Sequence, residues 1–169
     1  VSLGHAAFLA IGAYTHAYLL AQGWPFLASI VCATLLASMI GAIIGIPALR
    51  MTGIYLAVAT LAFAIIVEQV LSHWVSVTGG FRGMAVEPPS IGSISLEGSV
   101  AFYLLCLFIL TGCLFLALNL LRTPTGRALT AIRDSEISAQ SMGIHIAYTK
   151  TLAFGISAGF TGLAGSLLA

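Results

Sequence analysis

Five apolar runs, each close to twenty residues long, limit more than any other feature what this chain can fold into. They cover 3–21, 26–46, 54–72, 100–121 and 151–169. A helix rises about 1.5 Å per residue and the hydrocarbon layer is about 30 Å thick, so about 20 apolar residues suffice to span it. The runs predict an all-α, polytopic membrane protein with about five transmembrane helices. Composition agrees, because only 7% of the residues are charged and 60% are hydrophobic, against about 25% charged in an ordinary soluble domain. A net charge of +1 excludes a nucleic-acid surface, which needs a clustered excess of Lys and Arg. The chain opens on Val1 and stops at Ala169 inside an apolar run, so it reads as an internal fragment, with 1–169 forming one transmembrane domain.

Charge is concentrated in one place. Residues 122–150 hold Arg122, Arg127, Arg133, Asp134, Glu136 and Lys150, and burying these six in hydrocarbon would cost about 15 kcal/mol even at ~2.5 kcal/mol each. The segment must lie outside the membrane. It is nevertheless no solvated linker, since Ala128, Leu129, Ala131, Ile132, Ala139 and Met142 recur at helical intervals. Thr123-Pro124-Thr125-Gly126 breaks the chain after the fourth run. Asp134 or Ser135 can cap a short second helix, with Glu136 in its first turn. Gly143 is placed to end it as a left-handed residue, with Ile144 folding back on Ala139. Two roles fit such a helix: lying on the bilayer surface, or docking a protein. The acidic pair Asp134 and Glu136 and the small residues Ala139 and Gly143 favour docking.

Basic residues also set the sidedness. With 122–150 on the cytoplasmic side, Arg50 joins Arg122, Arg127, Arg133 and Lys150 there and Arg82 stands alone outside. The 73–99 loop, with Glu87-Pro88-Pro89 and scattered Gly and Ser, then faces outward as short irregular structure. Small residues mark helix contacts: Gly41 and Gly45 form a G-x-x-x-G pair, and Gly155, Gly159, Gly162 and Ser166 share one face of the last helix. Close backbone approach of this kind drives association in lipid. The sequence leaves open whether the partner lies in this chain or in a second subunit.

Several stretches taken together resemble the branched-chain amino acid permeases of ATP-binding-cassette importers, LivM type. They are Gly126-Arg127-Ala128-Leu129-Thr130-Ala131-Ile132-Arg133-Asp134-Ser135-Glu136 followed by Ala139 and Met142-Gly143-Ile144; Ser2-Leu3-Gly4-His5-Ala6-Ala7-Phe8; Pro47-Ala48-Leu49-Arg50; Gly53-Ile54-Tyr55-Leu56-Ala57; and Thr78-Gly79-Gly80. The resemblance covers essentially the whole chain. It implies a permease subunit in the bacterial inner membrane, importing branched-chain amino acids or a related small organic solute. It further implies a homologous second permease, two cytoplasmic ATPases and a periplasmic substrate-binding protein as partners. Residues 122–150 would be the coupling loop, with Arg127, Arg133, Asp134, Glu136, Ala139 and Gly143 meeting the ATPase. No cofactor is expected on this chain itself. A P-loop needs G-x-x-x-x-G-K followed by Ser or Thr, and the one lysine, Lys150, follows Tyr148-Thr149; ATP would be used by the partners.

Polar residues inside the runs supply the remaining candidates. Glu68, an acid within the third run, is a pathway candidate by default, although it could equally reach Arg82 or Ser72. The family pattern places an acid nearer position 65 and a base near 68, and this chain departs from it there. His5 is either a pathway residue or a packing residue. His16, His73 and His145 offer no ligand spacing, Cys32, Cys106 and Cys113 lie in apolar runs, and no metal site is implied. Thr78–Gly83 can be a contact for a binding protein or a plain tight loop. No nucleophile stands with a base and an orienter, so no enzyme site is expected. A secondary transporter using Glu68 and a passive channel are the rival readings.

Overall fold

The computed structural model describes residues 3–48, 51, 54–84, 90–91, 94–95 and 99–169. Its elements in order are α1 (His5–Ala21), α2 (Phe26–Ala48), α3 (Ile54–His73), the single turn α4 (Val75–Thr78), a two-strand ladder β1 (Ser90–Ile91) and β2 (Ile94–Ser95), α5 (Ser99–Arg122), α6 (Pro124–Asp134), α7 (Glu136–Ser141) and α8 (Ile146–Leu168). The predicted all-α architecture is present. Four of the helices, α2, α3, α5 and α8, are long and apolar enough to cross a membrane. Helix α1, with 17 residues, stands at the short end of the spanning range. Among the described residues of the 73–99 region are α4, a 3-10 turn at Gly80–Arg82 and the antiparallel pairing of Ser90 with Ser95. Arg50, Gly53 and Glu87 lie outside the described residues, so the place of Arg50 and Glu87 in the sidedness argument rests on sequence.

The turn between α1 and α2 shows how local chemistry sets the path. Gly23 takes φ 82°, a conformation costly for residues bearing a Cβ. Its N–H donates to the Leu20 carbonyl at 2.8 Å, and that of Trp24 to Leu19 at 3.1 Å. These are the two hydrogen bonds of a Schellman stop, and they satisfy carbonyls that a helix end leaves free. Phe26 opens α2 three residues later, with its ring edge-on to His16 at 5.2 Å.

The core is a three-helix cluster of α1, α2 and α8, joined by backbone approach rather than by large side chains. A Cβ built on Gly12 would strike the Gly162 carbonyl, and one on Gly165 the Leu9 carbonyl. Along α2 the neighbours run in reverse. Gly45 lies against Phe154 and Thr151, Gly41 against Ala158 and Gly155, and Ala37 against Gly162. Helices α2 and α8 are therefore antiparallel, as alternating insertion requires when two spans, α3 and α5, separate them. In lipid no water is released by burying apolar surface, so such contacts hold by dispersion and interhelical hydrogen bonds. One such bond runs from Ser38 Oγ to the Gly155 carbonyl at 2.9 Å. Helix α3 joins this cluster at its first half, where the Leu3 N–H donates to Thr60 Oγ1 at 3.0 Å and the rings of Phe8 and Phe63 lie 5.4 Å apart. Helix α5 stands apart, with no buried residue among those described along it.

Candidate functional site

Between α5 and α8 the chain builds a compact polar unit from two short helices. Thr123, extended at φ −75° and ψ 164°, caps α6 by accepting from the Gly126 N–H, with Pro124 beside it at the helix start. The cap meets one of the free N–H groups of the first turn, and Pro costs nothing at a position whose N–H is unused. Gly126 is buried because a Cβ there would strike the Leu120 carbonyl, which seats α6 directly on the end of α5. Ile132 is buried on the same helix, while Arg127 and Arg133 are exposed. Helix α6 thus turns its apolar face to the protein and its charged face away from it.

A single residue, Ser135, then ends one helix and starts the next. Its N–H donates to the Ala131 carbonyl, and its Oγ accepts from the Ser138 N–H. Of the two candidate caps, Ser135 takes the role and Asp134 remains the last residue of α6. Asp134 instead lies 3.4 Å from Arg133, both side chains largely exposed, an arrangement that contributes little. Glu136 sits in the first turn of α7, where its charge suits the helix dipole, and Ala139 is 1% exposed. Gly143 ends the unit at φ +81°. Its N–H donates to Gln140 and that of Ile144 to Ala139, at 3.0 and 3.1 Å. This second Schellman stop is the one anticipated at Gly143.

The unit leaves apolar side chains uncovered by the rest of the chain. Ile137 is 84% and Met142 81% exposed, on either side of the buried Ala139. Beside them, a cleft of about 550 Å³ is lined by Glu136, Gln140, Gly143, Ile144, His145 and Lys150. Across it Lys150 Nζ meets Glu136 Oε1 at 2.6 Å. The structure therefore brings Arg127, Arg133 and Asp134 of α6 together with Glu136, Ala139 and Gly143 at α7 in one small module.

Sequence reasoning missed three of these features. Thr123-Pro124 marks a break in the sequence, but a Thr cap followed by Pro is also a helix start, and α6 begins there. Helix α8 begins at Ile146, five residues before the expected position 151, because its first turns, with Lys150, project beyond the apolar stretch. No sequence signal announces the Glu136–Lys150 pair, whose partners stand 14 residues apart across a turn.

The other candidates fall elsewhere. His5 Nε2 is 2.9 Å from Ser157 Oγ, tying the start of α1 to α8. Glu68 is exposed on α3. Among the described residues no ion pair joins it to Arg82, and Ser72 Oγ donates to the backbone carbonyl of Glu68 rather than to its carboxylate. Thr78 knots its own loop, donating to the Leu71 and Trp74 carbonyls and accepting from the Gly80 N–H. The glycines singled out in α2 and α8 face each other inside this chain, which answers where their partner lies. Among the described residues no group of three or more His, Cys, Asp or Glu is placed to hold a metal.

The whole chain, residues 1–169, matches the model of the branched-chain amino acid transport system / permease component family. It is 36% identical over 192 aligned residues to the high-affinity branched-chain amino acid transport system permease protein LivM of Escherichia coli strain K12, covering 99% of this chain and 45% of that protein. Identity to the LivM protein of Salmonella typhimurium is 35% with the same coverages. A probable branched-chain amino acid transport permease protein LivM of Methanocaldococcus jannaschii is 27% identical, over 82% of this chain and 40% of that protein. No solved structure matches significantly. The chain spans less than half the length of these relatives, yet the match leaves no part of it aside: this is a multi-pass membrane protein of the branched-chain amino acid transport permease family.

Proposed function

We propose that the chain is the transmembrane part of a permease subunit in an ATP-binding-cassette importer of the bacterial inner membrane. It moves branched-chain amino acids or a related small organic solute. It works with a homologous second permease, two cytoplasmic ATPases and a periplasmic binding protein. The observation that carries this reading is the capped α6–α7 unit, a folded, water-facing module with Ile137 and Met142 exposed between two membrane helices. A linker would need neither caps nor a Schellman stop, whereas a docking element must hold its shape before its partner arrives. An ATPase gripping this module shifts the permease only to the extent that it binds one conformation better than the other. Arg127, Arg133 and Asp134 supply the polar contacts, and Ala139 and Gly143 the close approach.

The test is the assembled importer in vesicles. Gly143→Arg, or reversal of Asp134 together with Glu136, is expected to abolish substrate-stimulated ATP hydrolysis and uptake while membrane insertion persists. Normal coupling in both variants would overturn the reading, and uptake without any ATPase would favour a secondary transporter or a channel.

A further inference from the structure

We infer that the α6–α7 module passes its motion to α8 rather than to α5, and that the Glu136–Lys150 ion pair is the latch that makes this so. The inference rests on reading the module as the ATPase-docking element.

Helix α7 is tied to α8 at both of its ends. At its last turn, the Gly143 stop fixes the chain direction three residues before α8 begins, through the Ile144 N–H on Ala139. At its first turn, Glu136 reaches across the cleft to Lys150, the fifth residue of α8, at 2.6 Å. Lys150 is the less exposed partner, at 24% against 49%. Its side chain is thus partly withdrawn from water, where the attraction is less screened than in open solvent. The neighbouring Arg133–Asp134 pair is longer, at 3.4 Å, more exposed, and joins adjacent residues; it ties nothing to anything else.

What lies beyond each helix gives the latch its consequence. Helix α6 is seated on α5 through Gly126, but among the described residues α5 packs closely on no other helix that it could displace. Helix α8 carries Gly155, Gly159, Gly162 and Gly165 against α1 and α2. A rigid displacement of α7 therefore moves α8, and through its close-packed seam moves α1 and α2. Packed cores of this kind shift between discrete arrangements rather than deforming continuously. Glu136 and Lys150 are on this account positioning residues, acting through α8 and touching no substrate.

The experiment uses the full-length permease assembled with its second permease, ATPases and binding protein in vesicles, and reads solute taken up per ATP hydrolysed. Glu136→Gln and Lys150→Met are each expected to lower that ratio about two- to five-fold, the scale of a partly exposed ion pair. The double neutral variant is expected to be no worse than either single, and the swap Glu136→Lys with Lys150→Glu to recover most of the ratio. Losses that multiply in the double variant, a silent Lys150→Met, or a swap no better than either single reversal would overturn the latch. Ile137→Arg with Met142→Arg separates this from the underlying reading. Loss of ATPase binding there, with Lys150→Met silent, leaves docking standing and removes the latch. Unimpaired ATPase binding and stimulation in that variant removes the docking reading itself.

Discussion

Helices α5 and α8 flank the same polar module and are nearly the same length, 24 and 23 residues, yet α8 is built into the core and α5 is bare. Apolar character does not explain it, since both qualify as membrane spans and the bare α5 is the more apolar of the two. The difference lies in side-chain size. Helix α8 has four glycines pressed against α1 and α2, whereas α5 has Gly112 alone, with nothing within 4 Å of a built Cβ, among exposed Phe108, Phe115 and a series of leucines. In water the larger, greasier helix would be buried first. In lipid the tails solvate Leu and Phe as well as a protein does, and the helix that offers its backbone wins the contacts.

Gly12→Leu attacks that distinction most directly. The new side chain would have to pass through the Gly162 backbone, so either α1 or α8 must move. The expected loss exceeds the ~1–3 kcal/mol typical of overpacking, seen as aggregation of the purified full-length protein in detergent. A monodisperse, equally heat-stable variant would mean that the α1–α8 seam does not carry the fold. Ser29→Ala is milder. Its hydroxyl bridges His16 Nδ1 and the Phe26 carbonyl, both at 2.8 Å. A hydroxyl has one proton, and when Phe26 accepts it the imidazole must be the donor. Removing the hydroxyl leaves that buried N–H without its acceptor, at about 1–3 kcal/mol. His16→Leu, which removes the donor and leaves Ser29 on Phe26, is expected to cost less. Thermal midpoints of the two variants check the order.

How far this contrast was legible in the sequence follows from the same physics. Membrane helices announce themselves by length and apolarity alone, which is why four spans were placed to within one or two residues at most ends. The starts at Leu3 and position 151 moved because a helix end that leaves the hydrocarbon carries no hydropathy signal. Gly143 and Glu136 were legible since caps and stops are local, with partners within about five residues. Thr123 obeys the same rule, but the Pro124 beside it is also a break signal. The facing of Gly162 by Gly12 and Ala37, and the Glu136–Lys150 bridge, are long-range choices among many small or charged residues. One chain's sequence ranks none of those choices above the rest.

Thr123→Ala tests the side of the module that faces α5. The substitution removes the acceptor for the Gly126 N–H and a hydroxyl bond to Leu120, at about 1 kcal/mol. Faster amide exchange in the first turn of α6 is expected, with α7 and α8 unchanged. Exchange rising equally through α8 would show that the module answers as one body from either end, and would weaken the contrast between its two attachments.

Gly112→Leu is the smallest and most diagnostic change. A built Cβ meets nothing, and a leucine in mid-helix surrounded by lipid gains helix propensity over glycine while costing no contact. The isolated full-length protein is therefore expected to keep its thermal midpoint, within about 0.5 kcal/mol of stability, or to rise slightly. Side by side with Gly12→Leu, this pair places one residue type, substituted identically, on the two kinds of helix. A clear loss at Gly112 in the isolated protein would mean that α5 has a covering helix within its own chain. A loss appearing only when the second permease is present would place that subunit against α5. The outcome that preserves the contrast is silence in both settings, with lipid as the neighbour of α5 at that depth.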